Sequence, residues 1–313
     1  MVAEDSWASR HMKLENELRK YIFLESASAH SSVEEQKLKL HDDFFDLEKI
    51  KNFKRFPISM GTLNRPDRPF DIFEEYYVND SLVTRVFNTI KLVKRYFYAQ
   101  YFSLKNHRVF FSYRAEPRVG NERLFSVPYN FLSDAGIRHS FYSNSILKFS
   151  NPKTVLEIGA GFGGLASSLL EDGKISKYFI VDLPENLLLE HFYLAELGFL
   201  VMPWSDYCKD PKQNNCVVLL NGNDLIELDE DVDLLVNTMS MQHMSKMNLD
   251  FYFEQIGRLK PKKLYLVNRN TARDQSDVPI ENYPIPSDYV RNSFKTCFSK
   301  IHFEALFSLK DQL

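Results

Sequence analysis

A glycine-rich segment in the middle of the chain constrains the fold more than any other feature. It reads TVLEIGAGFGGLASSLL from Thr154 to Leu170. Its first five residues predict a short buried strand, and the residues from Leu165 onward predict a helix. Between them lies a predicted tight turn that holds Gly159, Gly161, Gly163 and Gly164. An ordinary connection between a strand and a helix needs fewer glycines, so this arrangement favours a site for a nucleotide-like ligand.

The glycine spacing fits two classes of ligand. Gly159, Gly161 and Gly164 satisfy the dinucleotide pattern G-x-G-x-x-G, which is compatible with an NAD-dependent oxidoreductase. Glu157, however, lies two residues before the first glycine, and its carboxylate would oppose a pyrophosphate above the turn. A ligand with a cationic amino-acid end and no phosphates would accept that carboxylate. The residues therefore favour the second class and leave the dinucleotide as the alternative.

Four more apolar segments follow at the spacing of a doubly wound, mostly parallel α/β sheet. We predict strands over 177–181, 216–220, 232–237 and 263–267, separated by helices. Ligands bind such sheets beyond the carboxyl ends of the strands. Asp182 ends the second strand about 20 residues after the glycine turn, where an acidic side chain reaches the ribose hydroxyls of a nucleotide. The alternative for Asp182 is a cap of the following helix.

Other polar and apolar residues at the predicted strand ends complete a candidate cofactor site. Leu183 is placed to pack on an adenosine, and the turn beyond the third strand is where such folds often meet the adenine. The predicted cofactor-binding residues are Glu157, Gly159, Ala160, Gly161, Phe162, Gly163, Asp182, Leu183, Asn223, Asp224 and Asn237.

Composition argues against a nucleic-acid partner, a disulfide framework and a membrane-spanning segment. The net charge of −3 and the isoelectric point near 6.3 give no general reason to expect a nucleic-acid partner. The three cysteines lack C-x-x-C spacing, which predicts reduced thiols rather than a disulfide framework or a zinc site. No apolar run is long enough to span a bilayer, and no signal-peptide core is evident. We therefore expect a cytoplasmic protein without a metal site.

The chain divides into three predicted parts. Residues 1–12 contain Ser-Arg-His before a second Met and are expected to be an expression-tag remnant. Residues 13–145 are predicted to form a mainly helical N-terminal region on the acceptor side of the cleft, acting as a lid. Its strongest helix is predicted from Ser81 to about Leu104, where apolar residues recur at helical spacing. Residues 146–313 are predicted to form the ligand-binding domain.

Three segments carry a resemblance to a known family. They are VLEIGAGFGGLA at 155–166, IVDLPEN at 180–186 and DLLVNTMSMQHM at 233–244. Together they resemble sugar O-methyltransferases, a branch of the class I S-adenosylmethionine (SAM) methyltransferases linked to surface polysaccharides. The resemblance implies a Rossmann-like fold, SAM as cofactor and S-adenosylhomocysteine (SAH) as product. It also implies a glycan or nucleotide-sugar acceptor, association with glycosyltransferases and a homo-oligomer.

Methyl transfer to a sugar hydroxyl needs a group that removes the hydroxyl proton during attack. His243 is the histidine of the motif region that follows the fourth strand, and an imidazole titrates near neutrality, so we predict it as the base, with Glu116 and His139 as substitutes. The family has an acidic residue at the position of His243. The predicted substrate-binding residues are Arg138, Tyr142, Ser240, Gln242 and Asn268. Methylation of another small molecule and a SAM-binding scaffold partnered with a glycosyltransferase remain the competing interpretations.

Overall fold

The computed structural model describes residues 82–115, 117, 119, 125–127, 130–272, 278–297 and 299–312. The candidate base Glu116 lies outside the described residues, as do the predicted tag remnant and the first part of the N-terminal region.

The described elements alternate between strands and helices after a long N-terminal helix. The α-helices are α1 Leu82–His107, α2 Asp134–Phe149, α3 Gly164–Leu170, α4 Pro184–Glu196, α5 Trp204–Tyr207, α6 Asp224–Glu227 and α7 Lys246–Leu259. The strands are β1 Phe125–Val127, β2 Asn130–Leu132, β3 Thr154–Ile158, β4 Lys177–Val181, β5 Leu200–Pro203, β6 Cys216–Leu220, β7 Leu234–Thr238, β8 Lys263–Arg269, β9 Tyr289–Cys297 and β10 Ser299–Leu309.

Eight strands form one sheet in the order β5-β6-β4-β3-β7-β8-β10-β9. The six strands from β5 to β8 in this order are parallel, and β10 is antiparallel to both of its neighbours. The inner strands are mostly apolar because helices cover both faces of the sheet. The predicted doubly wound, mostly parallel α/β fold is confirmed.

Two apolar cores flank the sheet. One lies between the sheet and helices α1 to α4, and the other lies between the sheet and helices α5 to α7. Successive side chains of a strand point to opposite faces. On β3, Val155 belongs to the first core whereas Leu156 and Ile158 belong to the second. Glu157 therefore lies on the same face as Val155, beneath helices α3 and α4.

Helix α1 docks on the antiparallel end of the sheet through polar contacts at its C-terminus. The Asn106 Nδ2 donates to the carbonyl of Thr296 at 2.9 Å, and the Lys295 Nζ donates to the carbonyl of Asn106 at 2.9 Å. The buried His107 Nε2 lies 2.9 Å from Glu304 Oε2 on β10. These contacts anchor the N-terminal helix to the hairpin formed by β9 and β10.

The C-terminal part differs from the sequence-based expectation. The sequence leaves room for another helix and one or two strands between Tyr289 and Leu309. The described residues of this range form the two strands, β9 and β10, as a long antiparallel hairpin, and no helix. The structure also contains the short edge strand Leu200–Pro203, which the sequence pattern did not reveal. A proline can end an edge strand because no partner requires its missing N–H. No helix in the described part of the chain is long and apolar enough to cross a membrane.

Candidate active site

The strand register brings the predicted site residues to one edge of the sheet. Ile158 pairs with Val181, Val181 pairs with Leu220, and Thr238 pairs with Val267. The segments that leave these strands therefore start at nearly the same level. The glycine turn, Asp182 and the segment after β7 consequently share one end of the sheet.

Two positions of the turn require glycine for different structural reasons. Gly159 has φ +76°, and an added Cβ would lie 2.0 Å from Ser240 Oγ. This glycine allows the segment after β7 to pack directly on the turn. Gly161 has φ +70°, but an added Cβ would meet no heavy atom within 4 Å. The turn therefore presents its backbone to open space at Gly161, as a surface for a ligand requires.

Asp182 connects the glycine turn to the start of α4. The Gly161 N–H donates to Asp182 Oδ2 at 3.0 Å, and the Leu183 N–H donates to Oδ1 at 2.7 Å. The Asn186 Nδ2 also donates to Oδ1, at 2.8 Å. Asp182 thus holds the helix start and the turn together, and its role at the ribose stays a prediction. The neighbouring Leu183 side chain is 51% exposed at the rim.

A group of buried carboxyls lies beneath the turn. The Tyr178 hydroxyl donates to Glu157 Oε2 at 2.7 Å, and burial raises the pKa of Glu157 to about 7. Burial also raises the pKa of Asp182 and raises that of the fully buried Glu190 much further. Asp182 is the charged group with the largest effect on both Glu157 and Glu190, and Glu157 also acts on Glu190. This edge of the sheet is therefore acidic.

Glu190 was not predicted as a site residue. It lies on α4 in the stretch LLLEHFYLA, where it is a single acidic residue among apolar ones. This pattern could have identified Glu190 from the sequence, because an ionised carboxyl is seldom buried without a functional or structural partner.

The turn after β6 forms its own hydrogen-bonded loop. The Asn221 Oδ1 accepts from the backbone N–H groups of Asn223 and Asp224 at 2.8 and 3.1 Å. The Asp224 Oδ2 accepts from the backbone N–H of Asn221 at 2.9 Å. Asn223 is exposed, whereas Asp224 is half-buried. Sequence analysis placed both residues near the adenine, and the structure puts them at the end of β6, beside β4 in the sheet.

Neutral amides and a hydroxyl connect β7 and β8 behind the turn. The Asn237 Nδ2 donates to the carbonyl of Ile158 at 2.7 Å, and the Ser240 hydroxyl donates to the same carbonyl at 3.1 Å. The Asn268 Nδ2 donates to Asn237 Oδ1 at 2.8 Å. Asn237 and Asn268 are both fully buried. Their side chains are spent on these contacts within the protein, and the predicted cofactor contact of Asn237 and substrate contact of Asn268 stay predictions.

Gln242 links this amide network to His243. The Asn268 Oδ1 accepts from the backbone N–H of Gln242 at 3.1 Å, and Gln242 Oε1 accepts from the Arg269 N–H at 3.0 Å. Because that backbone donor fixes the amide orientation, the Gln242 Nε2 donates to His243 Nε2 at 3.1 Å. The exposed imidazole then carries its proton on Nδ1.

Helix α2 brings three predicted residues to this edge. The Tyr142 hydroxyl lies 3.4 Å and the Arg138 Nη1 lies 3.7 Å from the sulfur of Met239. Met239 has φ +62°, a left-handed conformation that is costly for a residue with a Cβ. Tyr142 is 3% exposed, and burial raises the pKa of its hydroxyl. The side chains of Arg138 and Tyr142 thus contact the side chain of Met239, the residue after β7 whose backbone is strained.

His139 lies on the opposite side of the same helix end, against the glycine turn. Its ring lies 5.5 Å from the ring of Phe162 in an edge-on arrangement. An added Cβ at Gly164 would approach His139 Cε1 to 2.2 Å. Phe162 also packs edge-on against Tyr193 at 5.0 Å and is buried, whereas Ala160 remains half-buried. Phe162 therefore belongs to the packing beneath the turn.

The structure separates the predicted catalytic residues. His139 packs on the glycine turn, whereas His243 lies beyond β7 on the amide network. Among the residues that the structure describes, no group of three or more His, Cys, Asp or Glu side chains is placed to hold a metal ion.

Comparisons with known proteins give similarity only at the level of solved structures. No family model matches the chain, and no curated protein matches it. The chain is similar to the methyltransferase domain of bacterial CtHen1, at 18% identity over 55% of this chain and 96% of that chain, with a TM-score of 0.39. It is similar to the N-methyltransferase NodS from Bradyrhizobium japonicum in complex with SAH, at 13% identity over 55% and 85%, with a TM-score of 0.38. It is also similar to the mitomycin 7-O-methyltransferase MmcR, at 13% identity over 56% and 58%, with a TM-score of 0.37.

Proposed function

We propose that the protein is a SAM-dependent methyltransferase that transfers a methyl group to a sugar hydroxyl. One observation carries the cofactor assignment. The Gly161 N–H binds the Asp182 carboxylate at the edge of the sheet, and the space outside Gly161 is open. A nucleoside can then place its ribose hydroxyls at Asp182 while the amino-acid end of SAM lies over the glycine turn.

The electrostatics of the same edge favour SAM over a dinucleotide. Glu157 and Asp182 lie beneath and beside the turn, and the Asp182 carboxylate acts electrostatically on Glu157. A pyrophosphate would bring two negative charges to this position, and like charges in a region of low dielectric repel strongly. The sulfonium and ammonium of SAM carry positive charge. The acidic cluster therefore supports a cationic ligand.

Methyl transfer to a hydroxyl is an in-line displacement. The acceptor oxygen forms a bond to the methyl carbon as the bond from carbon to sulfur breaks, and the sulfonium becomes the thioether of SAH. Holding oxygen, carbon and sulfur in line supplies much of the acceleration. Arg138 lies beside the segment after β7 and Ser240 lies within it, and both are proposed to orient the acceptor. Tyr142 supports this segment through its contact with Met239.

We place the general base at His243, which is exposed beyond β7. The hydroxyl proton moves to its Nε2, which breaks the hydrogen bond from Gln242. The backbone N–H of Arg269 and the side chain of Asn268 hold Gln242, and so position the imidazole before the transfer. His139 is the second candidate because it lies next to the glycine turn.

The sugar acceptor is supported by the resemblance of three sequence segments to sugar O-methyltransferases. A glycan or a nucleotide sugar, a cytoplasmic location, association with glycosyltransferases and a homo-oligomer belong to the same proposal. The net charge of −3 is consistent with an acceptor other than nucleic acid. Transfer to the hydroxyl of another small molecule is the alternative that the same cofactor site would serve.

Two measurements in sequence test the proposal. Calorimetric titration with SAH and with NAD should give binding of SAH alone, and binding of NAD alone would overturn the cofactor assignment. Incubation with isotope-labelled SAM and a panel of glycan fragments, nucleotide sugars and small phenols should then label a sugar hydroxyl, as located by mass spectrometry. SAH binding without transfer to any acceptor would support the scaffold interpretation instead.

A further inference from the structure

Glu190 occupies a position where an ionised carboxyl would be strongly unfavourable. It is 0% exposed on α4, facing the first core of the sheet. Among the described residues, no N–H or O–H group donates to either of its carboxyl oxygens. A buried carboxylate without hydrogen-bond donors loses its hydration and gains nothing in return. The side chain is therefore a neutral carboxylic acid, which carries a proton to donate.

The acceptor that we infer for that proton is the Asp182 carboxylate, the charged group with the largest effect on Glu190. Glu190 follows Asn186 by one helical turn, and the Asn186 amide also donates to Asp182. Asp182 receives two backbone N–H groups as well, from Gly161 and Leu183. These three N–H donors stabilise the charged form of Asp182, whereas Glu190 has no comparable donors. The shared proton consequently resides on Glu190.

The surrounding titratable groups reinforce this distribution. Glu157 on β3 and Asp182 after β4 are the charged groups with the largest effects on Glu190, and Glu190 in turn acts on Tyr178 of β4. Each of these neighbours is acidic or neutral. Ionisation of Glu190 would place a second negative charge beside Asp182 in a region of low dielectric.

We propose that Glu190 is a positioning residue for cofactor binding, whose neutral carboxyl donates to Asp182 and holds that carboxylate ionised and aimed at the ribose hydroxyls. This inference rests on the proposed function, because it takes Asp182 as the ribose ligand. If so, tight binding of the nucleoside requires the proton on Glu190. When pH rises far enough to ionise Glu190, the two carboxylates repel and the affinity for the nucleoside falls.

The test compares Glu190→Gln with Glu190→Leu by calorimetric titration of SAH between pH 6 and pH 9. An amide keeps a donor but does not titrate, so Glu190→Gln should bind within about threefold of wild type at pH 7 and should lose the alkaline decline. Leucine removes the donor, so Glu190→Leu should bind about tenfold more weakly at pH 7. Glu196→Gln, at the exposed end of the same helix, is the matched control and should behave as wild type.

Adenosine serves as a second probe because it carries the ribose without the titrating amino group of SAH. An alkaline decline that persists unchanged in Glu190→Gln with both probes would overturn the inference. If Glu190→Leu fails to fold, as judged by circular dichroism, the pH profile of SAH and adenosine binding to Glu190→Gln still tests the inference. Absence of SAH and adenosine binding to the wild-type protein at every pH would instead overturn the proposed function, and this inference with it.

Discussion

The two halves of the sheet edge contain different kinds of buried polar groups. The cofactor half comprises the glycine turn, Asp182, Glu157 and Glu190, and its buried groups are carboxyls with raised pKa values. The acceptor half comprises residues 237–243 and Asn268, and its buried groups are amides that donate and accept among themselves. The buried side chains of the first half therefore change protonation with pH, whereas the buried amides of the second half, Asn237, Gln242 and Asn268, carry no charge at any pH.

This difference suggests a division of labour between the halves. Buried carboxyls attract a cation and share protons, which suits the capture of a sulfonium cofactor. A network of satisfied amides orients neighbouring side chains without adding charge, which suits the placement of a reacting hydroxyl. Mutations in the first half should change cofactor affinity and pH dependence, and mutations in the second half should change turnover.

The largest expected effect is on the acceptor half. His243→Ala should lower turnover by about 10²–10⁴-fold, the usual contribution of a general base, while SAH affinity stays within a few-fold. His243→Gln should be similarly slow because an amide does not take up the proton. Initial rates with saturating SAM and calorimetry with SAH measure the two quantities. If both variants keep near-normal turnover while His139→Gln is slow, the base belongs to the glycine-turn side of the cleft.

The next effect concerns the buried carboxyl of Glu157. Burial raises the pKa of Glu157 from its ordinary value of 4.5 to about 7 in the folded protein, so the folded state binds the proton more tightly. The free energy of unfolding should therefore fall by about 3 kcal/mol as pH rises from about 4.5 to about 7. Glu157→Gln should remove this decline and be more stable than wild type at pH 7.5 but not at pH 4.5. Urea denaturation at several pH values measures it, and the exposed Glu254→Gln is the control. Equal slopes for wild type and Glu157→Gln would show that Glu157 is not protonated in the fold.

Gly161 and Gly173 offer a matched pair. Both have left-handed backbones, with φ +70° and +63°, and an added Cβ meets no atom within 4 Å at either position. Valine should therefore cost similar backbone strain at both sites, about 1–2 kcal/mol. Gly161→Val should in addition weaken SAH binding by about 10²-fold, whereas Gly173→Val, in the loop before β4, should bind normally. Similar SAH affinities for the two variants would place the cofactor elsewhere.

The smallest effect is expected at Asp182. Asp182→Ala removes a charge-assisted hydrogen bond to the ribose, and SAH should bind about tenfold more weakly. Turnover at saturating SAM should change far less, because Asp182 does not touch the reacting atoms. Calorimetry on the folded variant gives the affinity, and initial rates give the turnover. An unchanged affinity would remove Asp182 from the cofactor half.

The sequence alone was sufficient for those features that depend on neighbouring residues. The strands 154–158, 177–181 and 216–220 were predicted at their observed bounds because each is short and mostly apolar. The glycine turn and the strand-end position of Asp182 followed from spacing along the chain. Such signals are local, so folding of distant parts does not alter them.

Tertiary structure decided which polar side chains meet. Asn237 and Asn268 bind one another across two strands, and both are inaccessible to a ligand although each ends or nearly ends its strand. Glu190 faces Asp182 only because α4 packs on the same sheet face as Glu157. Met239 receives Arg138 and Tyr142 from a helix about 100 residues earlier. The sequence determined a strand, a glycine turn and an acidic strand end because backbone preference and apolar runs are local properties. Burial, pKa and hydrogen-bond partners were decided by packing, since each depends on residues far apart in the chain.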